Sequence, residues 1–243
     1  MSGNLPLDAK QNDVAVYAPE PATYARALFI ESLRRAGVTV NTPLDKATGT
    51  LPADSALTDQ NKVASLTSPP TTIRTKLVTK ISDNRGAESL LCLMAVKAGS
   101  KDCDAGMATI IARYPKANIE PGTLTLYDGE GSDPASGTPD ALLRWLTWVH
   151  GQPFGAAFKE GLPDANHDGK IFAKSGLSAR PNIGPQPALF VAAAQAGYMK
   201  TASGKDAVVA VIATNATYKD VADGLTKDLP NGVKLITVMA NSS

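Results

Sequence analysis

Apolar residues recur every three or four positions through the first two thirds of this chain and then gather into extended runs, and that change of period constrains the fold more than any other feature. Tyr24, Leu28, Phe29, Leu33 and Ala36 share one helical face, and Gly37 follows where a left-handed residue ends a helix. A short strand is expected at 38–40, then a surface excursion rich in Thr, Asp, Pro and Ala. Ser68-Pro69-Pro70 opens another helix, because prolines at a helix start forfeit no hydrogen bond, and Ile73, Leu77 and Ile81 repeat along it. Residues 87–97 are apolar nearly all round, which predicts a central helix, and Asp104 is placed to cap a further helix ending near Tyr114. Residues 124–127 read as strand and 128–137 as a glycine-rich loop. Thr138-Pro139-Asp140 supplies the cap and first residues of a helix over 142–149. The last third predicts strands at 170–173, 189–199 and 207–213, the latter two joined across Thr201-Ala202-Ser203-Gly204 as a hairpin. A helix at 221–229 and a strand at 233–239 follow. Helices first and an antiparallel sheet afterwards make an α+β layered fold.

The chain is long enough, and at 43% hydrophobic apolar enough, to bury a core. Its 24 lysines and arginines nearly cancel 23 aspartates and glutamates, so no global field draws it to nucleic acid or to an anionic membrane. The apolar stretches 90–96 and 207–213 fall far short of the roughly 20 residues of a membrane span. Met1 is followed by polar residues rather than a signal peptide, and residues 1–13 read as a disordered or tag-like lead. Cys92 and Cys103 are the only cysteines. They can pair in an oxidising compartment or remain ordinary thiols in a reducing one.

Two tripeptides carry chemistry. Ser82-Asp83-Asn84 has the form S-x-N directly after a helix, and Lys174-Ser175-Gly176 has the form K-[ST]-G at the end of a strand. Together with S-x-x-K these are the motifs of serine β-lactamases and penicillin-binding proteins. Each has a plainer reading: Ser, Asp and Asn terminate helices by bonding nearby backbone, and a strand lysine can simply meet solvent.

The flanks favour the first reading. Ser68-Pro69-Pro70 leading through Lys80-Ile81-Ser82-Asp83-Asn84 to Ala87-Glu88-Ser89-Leu90-Leu91 resembles the signature of class C low-molecular-mass penicillin-binding proteins. Asp128-Gly129-Glu130-Gly131 with Thr138-Pro139, the segment 169–176, Ala196-Gly197-Tyr198 and the run 208–215 resemble that family's later segments, in order. The resemblance implies a penicillin-binding transpeptidase fold, an antiparallel sheet flanked by helices, in a serine D-alanyl-D-alanine carboxypeptidase or endopeptidase. Such an enzyme acts on peptidoglycan stem peptides through an acyl-enzyme and is acylated by β-lactams. It implies Ser82 as proton relay, Asn84 as a ligand of the substrate backbone and Lys174 as the positive charge beside the nucleophile. Ser175 and Gly176 would help bind the substrate carboxylate, with the Leu177 N–H as an oxyanion donor. It calls for no metal or organic cofactor, and it places the parent protein in the periplasm or outside the cell, where a Cys92–Cys103 disulfide is expected.

Three departures stand out. No lysine has serine or threonine three positions before it, so S-x-x-K is absent. In the resembling family that motif lies near the N-terminus, so the chain is expected to lack an N-terminal segment of the same protein and to form no acyl-enzyme alone. Residues 14–45 would then be the tail of an inserted domain with an entry helix, and 46–243 the C-terminal part of the transpeptidase-like domain. Asp133-Pro134-Ala135-Ser136 interrupts the family's loop, and the connection 161–169 is short. Two other functions stay open: a non-catalytic module binding peptidoglycan or a partner, and an esterase or β-lactamase on the same scaffold. Asp164-Ala165-Asn166-His167-Asp168-Gly169 opens like a calcium loop, but Ser175 stands where the bidentate glutamate belongs, which favours a polar turn. His150 and His167 have unrelated settings, and Trp145 and Trp148 are expected in a core.

Overall fold

The computed structural model describes residues 18–45, 50 and 52–242; the expected lead at 1–13 lies outside them. The chain divides into two compact units, 1–67 and 68–243. In the first, α1 (Pro21–Arg35) starts with proline at its first position and ends where Gly37 takes φ +83° and the Val38 N–H returns to the Leu33 carbonyl at 2.9 Å. No strand forms at 38–40. The Arg34 guanidinium takes the Val40 carbonyl at 2.8 Å, so a local side chain satisfies a group that a sheet partner would otherwise have to satisfy.

The second unit begins with α2 (Thr71–Ile81) and α3 (Asn84–Lys97), joined by Ser82 and Asp83. Asp83 caps α3 by accepting the Gly86 N–H at 3.0 Å. A disulfide joins Cys92 to Cys103 and ties α3 to α4 (Ala105–Ile111). Asp104 precedes α4 without making the expected side-chain cap; it is itself helical in conformation, and its N–H is taken by the Asp102 carboxylate at 3.1 Å. α3 is not central: Leu91 and Ala95 are buried, but Leu93 and Val96 are exposed, because only one stripe of an apolar helix meets its neighbours.

The 124–127 strand shortens to β1 (Leu124–Thr125), which pairs with β2 (Ser136–Gly137). α5 (Pro139–His150) is capped as expected by the Thr138 hydroxyl, which accepts the Ala141 N–H at 3.1 Å. Its Trp145 and Trp148 pack against Tyr114, Ala117 and Ile119. α6 (Gly155–Gly161) is a short helix that the sequence period did not announce.

β3 (Ile171–Arg180), β4 (Ala188–Lys200) and β5 (Asp206–Tyr218) form an antiparallel sheet in that order. Alternation sorts its residues between two layers. Phe172, Ala196, Tyr198 and Val208 meet Leu146 of α5 and Leu162 after α6. Ile171, Ala173, Met199 and Val209 meet Ile236 and Ala240 of α7 (Val221–Asn241). The strand expected at 233–239 is therefore helix. The helix expected at 221–229 runs on through Pro230, because Ile236 and Ala240, one turn apart, both bury against the sheet. Gly197 is required where β3 and β4 meet: a Cβ there would lie 2.0 Å from the Phe172 carbonyl oxygen.

Candidate active site

Ser82 ends α2 in the left-handed region, at φ 58° and ψ 48°, with the Asp83 N–H returning to the Val78 carbonyl at 3.1 Å. That conformation is ordinarily left to glycine at a helix end. Here it turns an exposed serine out of the helix, while half-buried Asp83 turns its carboxylate into the cap and Asn84, exposed, begins α3. The three residues therefore divide into one structural and two solvent-facing groups.

K-S-G lies within a strand rather than at its end, since β3 continues to Arg180. The backbone direction follows from its hydrogen bonds. The Ala173 N–H donates to the Pro163 carbonyl at 3.0 Å, on the side away from β4, whereas the Lys170 carbonyl accepts the Lys200 N–H of β4 at 2.8 Å. Antiparallel strands alternate, so Ser175 and Leu177 also turn their N–H and C=O groups outward. β3 is an edge strand, and its outer pairing reaches only the isolated bridge between Asp164 and Phe172. From Ser175 onward the edge is open among the described residues.

Lys174 lies on the α5 face and bends to the edge, donating from Nζ to the outward carbonyl of Ser175. Burial pushes its pKa below the ordinary lysine value. Gly176 shares its face, and a Cβ there would meet nothing within 4 Å, so the space along the strand beside Lys174 is open. The Ser175 side chain takes the other face, opposite Gln195 of β4. There it lines a cavity of about 470 Å3 with Pro163, Ala165, Ala173 and α7 residues including Leu225 and Val233. Lys174 and Ser175 thus converge at the strand edge through backbone and ammonium rather than through two side chains on one face.

Two ties bracket the tripeptides. Before them, Thr79 Oγ1 donates to the Gly161 carbonyl at 2.6 Å and Lys80 Nζ to the Leu162 carbonyl, next to the Pro163 carbonyl that holds Ala173. Beyond them, the Gly129 N–H donates to Glu88 Oε1 at 2.7 Å, fixing the 128–133 loop to α3 one turn after Asn84. Asp133 of that loop pairs with Arg180 at the far end of β3, at 3.3 Å. A Cβ on Gly129 would lie 2.8 Å from the Ala87 carbonyl, so the loop approaches α3 at backbone distance. Asp128 Oδ1 accepts the Glu130, Gly131 and Ser132 N–H groups. Burial alone would raise its pKa, and these bonds together hold it below the usual carboxylate range.

Sequence reasoning missed Lys80, Glu88 and Arg180 as the groups that hold the walls of this region. Glu88 sits in the quoted run after Asn84, and its spacing of one helical turn was the available signal. Among the described residues no three His, Cys, Asp or Glu side chains gather to hold a metal ion. The 164–169 segment is a polar turn in which the Gly169 N–H donates to Asp164 Oδ2 at 2.9 Å.

An S-x-N helix junction and a K-S-G strand edge, carried in one α+β unit, are the motif pair of penicillin-binding proteins and serine β-lactamases. The chain matches the D-Ala-D-Ala carboxypeptidase 3 (S13) family over residues 1–230 and belongs to it. Among curated proteins, none matches this sequence. Among solved structures it is similar to penicillin binding protein 4 from Haemophilus influenzae. The form complexed with a β-lactam is 22% identical, with a TM-score of 0.54 over 88% of this chain and 50% of that one. A second structure of that protein is 23% identical, again with a TM-score of 0.54, over 88% of this chain and 48% of that one. The chain therefore spans about half the length of the penicillin binding protein it resembles, and the shared feature is the fold. The Cys92–Cys103 bond expected from the resemblance is formed. No helix of the described residues is long and apolar enough to cross a membrane.

Proposed function

We propose that this chain supplies the S-x-N and K-S-G walls of a serine D-alanyl-D-alanine carboxypeptidase or endopeptidase acting on peptidoglycan stem peptides. The observation that carries the reading is the open outer edge of β3 from Ser175 onward, with the Lys174 ammonium bent to it. An extended peptide adds to such an edge by main-chain hydrogen bonds, and the Leu177 N–H takes the carbonyl oxygen that becomes negative as the acyl-enzyme forms. The Lys174 ammonium and the Ser175 hydroxyl attract the terminal carboxylate. Asn84 holds the substrate amide, and Ser82 passes a proton to the departing D-alanine amine. Burial lowers the Lys174 pKa from its ordinary value, and an arriving carboxylate works against that shift by favouring the charged form. The parent protein works outside the cytoplasm, a reading that the Cys92–Cys103 bond supports because such bonds persist in oxidising compartments.

The serine nucleophile is not assigned within these 243 residues, which contain no S-x-x-K. That absence favours one second reading, a non-catalytic module that binds stem peptides or a partner. A fluorescent penicillin separates the two. The complete product of the gene becomes covalently labelled at one serine per molecule, and the 243-residue chain alone does not. An unlabelled complete product would leave the binding module.

A further inference from the structure

Ser175 borders two spaces. Its backbone groups turn to the open outer edge of β3, while its side chain lines a cavity of about 470 Å3 between the sheet and α7. Two glycines let α7 press on β4: a Cβ on Gly224 would lie 2.3 Å from Phe190 Cζ, and one on Gly232 would lie 3.2 Å from Gln195 Nε2. Beside that line of approach, over Ala173 and Ser175 of β3, lies the cavity. Leu225 and Val233 of α7 close it from above. Pro163 and Ala165 wall it on the side away from β4, and they come from the short connection that departs from the family pattern. None of the described residues lining it is charged; the Ser175 hydroxyl and the carboxamide of buried Gln195 are its polar groups. A space of this size, mostly apolar with a few polar groups, suits a small-molecule moiety.

What Ser175 holds says what the cavity takes. On the carboxypeptidase reading above, on which this inference rests, the Ser175 hydroxyl and the Lys174 ammonium attract the terminal carboxylate, and the Leu177 N–H takes the scissile carbonyl. The residue bearing that carboxylate is the one that departs. Held by a hydroxyl on the α7 face, it stands at the mouth of the cavity. The methyl group of alanine would leave nearly all of that space empty, and protein interiors hold few such voids. We propose that the cavity is the subsite for the side chain of the departing residue, and that the protein releases terminal D-residues with large uncharged apolar side chains, D-leucine for example, in preference to D-alanine. A charged side chain would be buried there without a partner of opposite sign among the lining residues, and that is costly. The chemistry is otherwise unchanged. The terminal amide breaks, its nitrogen takes a proton and leaves as the free amine, and water then releases the acyl group from the serine of the complete protein.

The test gives the complete gene product acetylated L-lysyl-D-alanyl peptides ending in D-alanine, D-leucine or D-glutamate, and measures kcat/KM for release of each terminal residue. One methylene in a fitting apolar pocket is worth about tenfold or more, so the expected ratio of D-leucine to D-alanine is at least that, with D-glutamate slowest. Leu225→Trp and Val233→Phe fill the cavity from the α7 side, and each should lower the ratio by about tenfold. The first comparison uses the unaltered protein and stands whether or not the variants fold. A smaller ratio, a D-glutamate rate equal to that of D-leucine, or a ratio that neither folded variant lowers overturns the subsite. Penicillin labelling with D-alanine release would then leave the carboxypeptidase reading intact. A product that releases none of the three residues overturns the subsite too, and penicillin labelling of that product reads whether the acylation chemistry fails with it.

Discussion

Replacing Ser82 by glycine should make the protein more stable and less active, and the opposition of those two changes is the signature of a residue held for function. Ser82 occupies φ 58° and ψ 48°, and its hydroxyl makes no hydrogen bond to a described residue. A side chain in the left-handed region costs about 1–2 kcal/mol. Glycine removes that cost but brings back backbone entropy worth roughly 0.5–1 kcal/mol in the unfolded chain. The net gain is about 0.5–1 kcal/mol, which for a unit of this size moves the melting midpoint up by ~2 °C. Ser82→Ala, which keeps the strained backbone and loses the hydroxyl, gains nothing. Losing a proton relay lowers turnover by about 100-fold or more, so both variants of the complete gene product should be acylated and deacylated that much more slowly. Thermal unfolding and stopped-flow labelling with a fluorescent penicillin read the two arms. If Ser82→Gly melts lower, the serine is stabilised in its turn and the strain argument fails. If it melts higher but is acylated and deacylated at the parent rates, Ser82 is only a helix terminator.

Lys174→Met removes a partly buried ammonium and should raise the urea midpoint at neutral pH while abolishing β-lactam acylation of the complete product. Because burial lowers the folded pKa of Lys174 below the ordinary 10.5, the unfolded chain binds the extra proton. The parent regains stability as pH rises from the lowered value toward 10.5, so the gap to the variant must narrow there, and a gap that widens refutes the assignment. Reducing Cys92–Cys103 releases a short loop and should lower stability by roughly 3 kcal/mol, read from denaturation with and without reductant. Gly197→Ala puts a methyl 2.7 Å from the Ala173 Cα and should cost about 3 kcal/mol or more; β3 next to Lys174 would shift, and a soluble variant that melts like the parent would contradict the close approach.

The sequence showed what local chemistry determines and obscured what depends on neighbours. Thr138 and Pro139 announce the start of α5 because a cap and a proline act within one turn. The β4–β5 hairpin was legible because its turn carries Gly204, at φ +79°. Pro230-Asn231-Gly232 reads locally as a break, and only burial of Ile236 under the sheet keeps α7 whole. The same limit applied at the site. The identities of Ser82, Asn84 and Lys174 were visible as motifs, but the direction of the Ser175 and Leu177 backbone was not. That direction depends on which backbone groups meet β4 and on the Ala173 N–H meeting the Pro163 carbonyl instead.

α2 carries this lesson furthest. The spacing of Ile73, Leu77 and Ile81 correctly fixed a helix, since a period of four reports backbone geometry alone. It could not report which side of that helix faces the rest of the unit, and here the side is the reverse of the usual one. In a finished core the apolar row would have been drawn inward, because burying three large aliphatic side chains is worth several kcal/mol, far more than three polar contacts at a surface. The polar contacts instead serve position, holding the end of α2 to the Gly161 and Leu162 carbonyls. Replacing Lys80 by methionine tests that role, because it removes the bond to the Leu162 carbonyl. It should change the unfolding free energy of the isolated chain by less than about 1 kcal/mol, yet slow acylation of the complete product at least as much as it destabilises. Loss of stability with unchanged acylation would mean that α2 is held to α6 for strength alone.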